Sequence, residues 1–99
     1  MRITFKDDEL RKLYEESNHR APRYGRDLTK AFRKKVGFLA AAASELDLRG
    51  MRSLHFEKLS GDRAGQHSIR LNDQWRLILT VETDGEGKLV VIVEIVDYH

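Results

Sequence analysis

The 99-residue sequence has no cysteine. This excludes disulfides and thiolate metal sites, and it leaves the redox compartment unreported. There is one proline, Pro22, and no repeat or low-complexity segment. No apolar run approaches the ~20 residues a membrane-spanning helix needs. The opening Met1-Arg2-Ile3-Thr4-Phe5-Lys6-Asp7 turns charged too early for a secretory leader. No group of Asp, Glu and His has metal-ligand spacing, so no cofactor is implied. The expectation is a cytoplasmic protein, one domain over residues 1–99, with one modest core. A chain this size removes roughly 60–70% of its unfolded surface from water.

The net charge of +2 is small but unevenly spread. Between His19 and Lys35 stand Arg20, Arg23, Arg26, Lys30, Arg33, Lys34 and Lys35 against Asp27 alone, a local charge of +6. Such a cluster is the footprint of a polyanion-binding surface, nucleic acid above all. The solvated outer face of a helix gives the same pattern.

Residues Ile3 to Phe5 read as a short edge strand. Asp7 and Asp8 supply an N-cap and first-turn charge for a helix to about Glu16, with Leu10, Leu13 and Tyr14 on one stripe. Ser17 to Gly25 connects it to a second helix, from Arg26 or Asp27 to about Glu45. There Leu28, Phe32, Val36, Leu39, Ala40, Ala43 and Leu46 share a broad face. Gly37 inside that span costs about 1 kcal/mol relative to alanine, which points to close packing there. Asp47 to Arg52 leads out. The period then changes from 3.6 to 2. Leu54–Leu59 reads as a first strand and Gly61–Gly65 as a turn. Gln66–Leu71 alternates, with His67, Ile69 and Leu71 on one face and Ser68 and Arg70 on the other. After the turn Asn72-Asp73-Gln74, Trp75, Leu77, Leu79 and Val81 oppose Arg76, Ile78 and Thr80. Asp84-Gly85-Glu86-Gly87 closes a hairpin to the last strand. The fold class is α+β, an N-terminal antiparallel helix pair packed on a small, mostly antiparallel sheet.

That last strand, Lys88 to Val96, is a nearly unbroken β-branched run, the composition of a strand buried on both faces. It leads straight into Asp97, Tyr98 and His99. By strand alternation Asp97 and His99 take one face and Tyr98 the other. Three proton-handling groups on a stiff strand make a candidate acid–base site.

Together the strands carry a recognisable pattern. The stretch Phe56-Glu57-Lys58-Leu59-Ser60-Gly61-Asp62-Arg63-Ala64-Gly65-Gln66-His67-Ser68-Ile69-Arg70-Leu71-Asn72-Asp73-Gln74-Trp75-Arg76-Leu77 resembles the signature of HigB-type toxins of the RelE/ParE superfamily. The ending Val93-Glu94-Ile95-Val96-Asp97-Tyr98-His99 is similar to that family's C-terminus. The resemblance implies a ribosome-dependent endoribonuclease that cuts mRNA in the 70S A site. It also implies a HigA-like helix-turn-helix antitoxin, with operator DNA contacted only through that antitoxin. Carried over by position, Arg76, Asp97, Tyr98 and His99 form the catalytic group. Some relatives place a catalytic histidine where this chain has Glu57. His55 lies two residues earlier with the same strand parity.

Metal-independent RNA cleavage needs a base for the 2′-hydroxyl, positive charge at phosphorus and an acid for the leaving 5′-oxygen. His99 suits the acid, since imidazole titrates near ~6.5 and the nearby Asp97 and terminal carboxylates favour its protonated form. Asp97 orients that ring, acts as base or simply ends the strand. Tyr98 stacks on a base, donates to phosphate or packs as an edge aromatic. Arg76 needs a partner for its fork, either the scissile phosphate or a salt bridge to Asp97 or Glu94. Arg70, Lys58 and Arg63 are candidate RNA contacts on the strands and turns, and Lys30, Arg33 and Lys34 on the helix. His67 reads as a core or rim histidine, and Trp75 as core. Two rival readings share parts of this pattern: a ParE-like DNA gyrase inhibitor that cleaves nothing, and a non-catalytic RNA-binding module using only the basic helix.

Overall fold

A computed structural model describes residues 1–98, so the role expected of His99 lies outside the described residues. Strand β1 (Arg2–Phe5) is followed by helices α1 (Asp8–Glu15), α2 (Gly25–Ala41) and α3 (Glu45–Gly50). Four strands complete the chain: β2 (Glu57–Lys58), β3 (His67–Arg70), β4 (Trp75–Asp84) and β5 (Gly87–Asp97). They form one mixed sheet in the order β1-β5-β4-β3-β2, antiparallel except for the parallel pairing of β1 on β5.

Helix α1 starts where Asp7 accepts from the backbone N–H of Glu9 (2.8 Å) and Leu10 (3.2 Å). These bonds satisfy two orphan donors of the first turn. Leu10 and Leu13 from α1, and Leu28, Phe32, Val36 and Leu39 from α2, pack against Ile69, Leu77, Leu79, Val90, Ile92 and Ile95 of the sheet. The helices thus cover one sheet face and leave the other free of helix.

The second helix ends earlier than its composition suggests. Ala42 is extended (φ −69°, ψ 144°), and the separate α3 follows. The break rotates the later residues. Ala42 and Leu48 are buried, whereas Ala40, Ala43 and Leu46, expected on the apolar face, are exposed, Leu46 at 77%. A Cβ on Gly37 would meet nothing within 4 Å, so close packing there is corrected. The strand expected over Leu54–Leu59 is also largely absent. Arg52–Leu54 is a 3-10 turn, His55 sits in the left-handed region (φ 47°), and only Glu57 and Lys58 join the sheet. His55 therefore has no strand parity with Glu57.

The long hairpin of β4 and β5 contains a bulge. Pairing runs Ile78↔Glu94 and then Leu79↔Ile92, which leaves Val93 as the extra residue. Strict alternation puts Ile95 and Ile92 on opposite faces, but across the bulge both reach the core. The bulge therefore sets which face Glu94, Val96 and Tyr98 share.

Candidate active site on the helix-free face of the sheet

On the helix-free face, Ser68, Ile78 and Val91 make a buried floor at 2%, 2% and 6% exposure. Longer charged side chains stand around it. Arg70 on β3 lies directly opposite Arg76 on β4, and Arg76 opposite Val96 on β5. Side chains in such cross-strand pairs have Cβ atoms about 4.5–5.5 Å apart, and like charges there are unfavourable.

Each guanidinium is held by a neighbour. Arg76 Nη1 donates to the carbonyls of Asn72 (2.7 Å) and Trp75 (3.2 Å). Its guanidinium lies 4.3 Å from the centroid of the Tyr98 ring, a cation–π contact. Arg70 is paired with the carboxylate of Asp73. Arg63 reaches Glu94 at 3.4 Å and Gln66 Oε1 at 3.0 Å. Of the two carboxylates considered as partners of Arg76, Glu94 is therefore engaged by Arg63. Asp97 accepts from Gln74 Nε2 at 2.9 Å.

The turn between β3 and β4 organises this constellation. Asn72 Oδ1 accepts from the N–H groups of Gln74 (2.9 Å) and Trp75 (2.8 Å), an Asx turn that shapes the loop. Its three residues then each hold a site residue. The Asn72 carbonyl takes Arg76, the Asp73 carboxylate takes Arg70, and Gln74 takes Asp97 through its amide and the Tyr98 N–H through its carbonyl (2.7 Å). Sequence reasoning identified the turn but missed this holding role, and it missed Ser68 in the floor and Gln66 beside Arg63.

The structure brings Arg76, Tyr98, Arg70 and Arg63 to one face, with Asp97 at the adjoining strand end. It separates the other candidates from them. Lys58 pairs with His67, whose neighbour in β4 is the core residue Leu79, and so falls on the helix side of the sheet. Lys30, Arg33 and Lys34 belong to α2. Among them Arg33 is structural, because its Nε donates to the Leu13 carbonyl (2.7 Å) and its Nη2 to those of Glu16 (3.3 Å) and His19 (3.2 Å). It closes the C-terminal end of α1. Lys34 lies over the Phe38 ring at 5.9 Å.

His67 is stacked on Phe56 with centroids 4.7 Å apart and planes 3° from parallel, and its Nδ1 is buried without a partner. Burial pushes its pKa below the ordinary histidine value; Arg49 and Lys58 act the same way and Glu45 opposes. It is a rim histidine on the helix side. Among the described residues no group of three or more His, Asp or Glu is placed to hold a metal ion.

Residues 3–99 match the family of RelE-like toxins of the type II toxin–antitoxin system HigB. The chain belongs to the HigB-like toxin family. It is 39% identical over 79 residues to Toxin HigB-1 of Vibrio cholerae serotype O1, covering 79% of this chain and 81% of that protein. Its fold is similar to a YoeB/ParE toxin from Agrobacterium tumefaciens, with TM-score 0.56 at 13% identity over the whole of both chains. It is also similar to a chain of the YoeB–YefM complex from Staphylococcus aureus, with TM-score 0.58 at 23% identity, covering all of this chain and 97% of that one. This HigB-like toxin thus has the α+β architecture of the RelE/ParE superfamily, and no helix among its described residues is long and apolar enough to cross a membrane.

Proposed function

We propose that this HigB-like toxin is a ribosome-dependent endoribonuclease that cuts mRNA in the A site by metal-independent acid–base catalysis, thereby stopping translation. Its partners are then the 70S ribosome, mRNA and a HigA-like helix-turn-helix antitoxin that contacts operator DNA, and its place is the cytoplasm. The observation that carries the reading is the cross-strand pair of Arg70 and Arg76 beside Tyr98. Two like charges facing each other cost stability, and an anion bound between them offsets that cost.

In the reaction a base removes the 2′-hydroxyl proton, the 2′-oxygen attacks phosphorus, and the bond to the 5′-oxygen breaks as an acid protonates it. The products are a 2′,3′-cyclic phosphate and a 5′-hydroxyl. Arg76, with Arg70 beside it, neutralises charge gathering on the phosphoryl oxygens. The Tyr98 ring holds the Arg76 fork and presents its hydroxyl to the phosphate. Asp97, gripped by Gln74, orients His99, which serves as the acid.

Primer extension on mRNA translated by active ribosomes tests this. The intact protein is expected to give discrete cuts with cyclic-phosphate ends, and His99→Ala to slow them by about 10²–10⁴-fold. Uncut mRNA on active ribosomes treated with the intact protein refutes the nuclease reading, and inhibited DNA supercoiling in its place identifies a gyrase inhibitor.

A further inference from the structure

Among the described residues, Arg63, Arg70 and Arg76 gather on the helix-free face, and their partners differ in kind. Arg76 meets carbonyl oxygens and the Tyr98 ring. Arg70 and Arg63 each meet a carboxylate instead, Asp73 and Glu94. Glu94 lies opposite Ile78, and Ile78 opposite Ser68, two residues along from the row of Val96, Arg76 and Arg70. Two strand residues span about 7 Å, so Glu94 borders the arginine pair without facing either member. Arg63 comes from the connection between β2 and β3, so its side chain crosses β4 to meet Glu94 on β5. Its Nη1 donates to Gln66 Oε1 (3.0 Å), which leaves Nη2 for the carboxylate (3.4 Å). Neither bridge is deep. The side chains of Asp73 and Glu94 are 93% and 48% exposed, and among the described residues neither carboxylate has another side-chain partner. Exposed ion pairs of this kind are weak and exchange readily.

We propose that Asp73 and Glu94 are built-in competitors of RNA, each occupying in the resting toxin an arginine that a phosphodiester takes on binding. The proposal rests on the reading above that this face receives RNA phosphate. A guanidinium offers the same N–H groups to a carboxylate or to a phosphate, and one anion excludes the other. Binding therefore exchanges carboxylate for phosphate at Arg63 and Arg70, while Arg76 is ready without exchange. The two carboxylates thereby limit how tightly the face grips RNA. A purely supporting role, in which the bridges hold both arginines in place for RNA, has the opposite sign. Loss of a carboxylate would then weaken binding.

The test uses the whole chain and a single-stranded 2′-O-methyl oligoribonucleotide, whose blocked nucleophile prevents cleavage. Glu94→Gln, Asp73→Asn and the double variant are compared with Glu9→Gln, which removes a charge from α1. Thermal melting checks that all four fold, and a site variant that does not assigns its bridge to structure and overturns the proposal. Each site variant is expected to bind about 2–5-fold tighter than wild type, the weight of an exposed ion pair. The slope of log K against log salt should steepen by about 0.7 for each arginine released. The double variant should approach the product of the two gains. Glu9→Gln leaves affinity and slope near the wild-type values. Inorganic pyrophosphate, followed through the arginine Nε–H resonances, should half-saturate the double variant at a lower concentration than wild type. Unchanged or weakened binding by the site variants overturns the proposal, as does an equal gain in Glu9→Gln. Failure of the double variant to bind either probe overturns it too. No readout needs cleavage, so uncut mRNA on active ribosomes refutes the nuclease reading while tighter binding still supports this one.

Discussion

Arg76 is the residue on which the geometry of the site converges, touching the Asn72 turn, the Trp75 carbonyl and the Tyr98 ring at once. Because it faces Arg70 across the sheet, its contribution to folding is small or negative. Arg76→Thr, with a residue well suited to strands, is expected to keep stability within about 1 kcal/mol of wild type or raise it. Urea denaturation checks this, and a loss above about 2 kcal/mol assigns the arginine to the fold. Tyr98 separates ring from hydroxyl. Tyr98→Phe keeps the cation–π contact and loses only the phenol, so it should retain more cleavage activity than Tyr98→Ala. His67 supplies a pH dependence. Its pKa is lowered in the folded state, so the unfolded chain takes up its proton first. Stability from this group is full above ~6.5 and falls as pH drops through that value towards the lowered one. His67→Phe should narrow the difference in melting temperature between pH 7.5 and 5.5; an unchanged difference removes His67 from the acid response.

At the scale of elements, the β4–β5 hairpin decides which groups meet. Deleting Val93 removes the extra residue while Ile92 stays opposite Leu79 and Glu94 opposite Ile78, so regular alternation keeps Ile95 in the core and the Arg76–Tyr98 stack in place. Thermal melting should show a loss of about 1 kcal/mol or less; a loss near the ~2–5 kcal/mol of a core truncation contradicts this register. Strand β4 was legible in the sequence because its faces differ chemically, Leu77 and Leu79 against Arg76 and Thr80. The bulge in β5 was not, since Glu94 is the one polar residue between Leu89 and Val96 and a single mark cannot reveal a change of phase. The end of α2 was hidden for a similar reason. The alanines from Ala40 to Ala43 suit helix throughout, and only the extended backbone at Ala42 turns Leu46 outwards and Leu48 inwards. The turn at Asn72 was plain from its composition, but which atoms its residues hold depends on strands that meet from distant parts of the chain. Arg33 makes the same point on the helix side. Counted with the RNA contacts by charge, it instead ties three carbonyls of the α1 end, and Arg33→Met should lower stability by about 1–3 kcal/mol in denaturant titration.

The whole molecule is a sheet with two chemically different sides. One is sealed by helices, and the other is bare and carries the arginine pair and the end of β5. On the proposed reading the bare face takes the reacting phosphate. The claim at the centre is that the bare face neutralises the phosphate being cut. Its most direct test is the rate of mRNA cleavage on translating ribosomes by Arg76→Ala against wild type, at toxin concentrations that saturate the ribosome. A fall of about 10²–10³-fold is predicted, the usual cost of losing one charge-stabilising donor. Cleavage by Arg76→Ala at the wild-type rate contradicts the account.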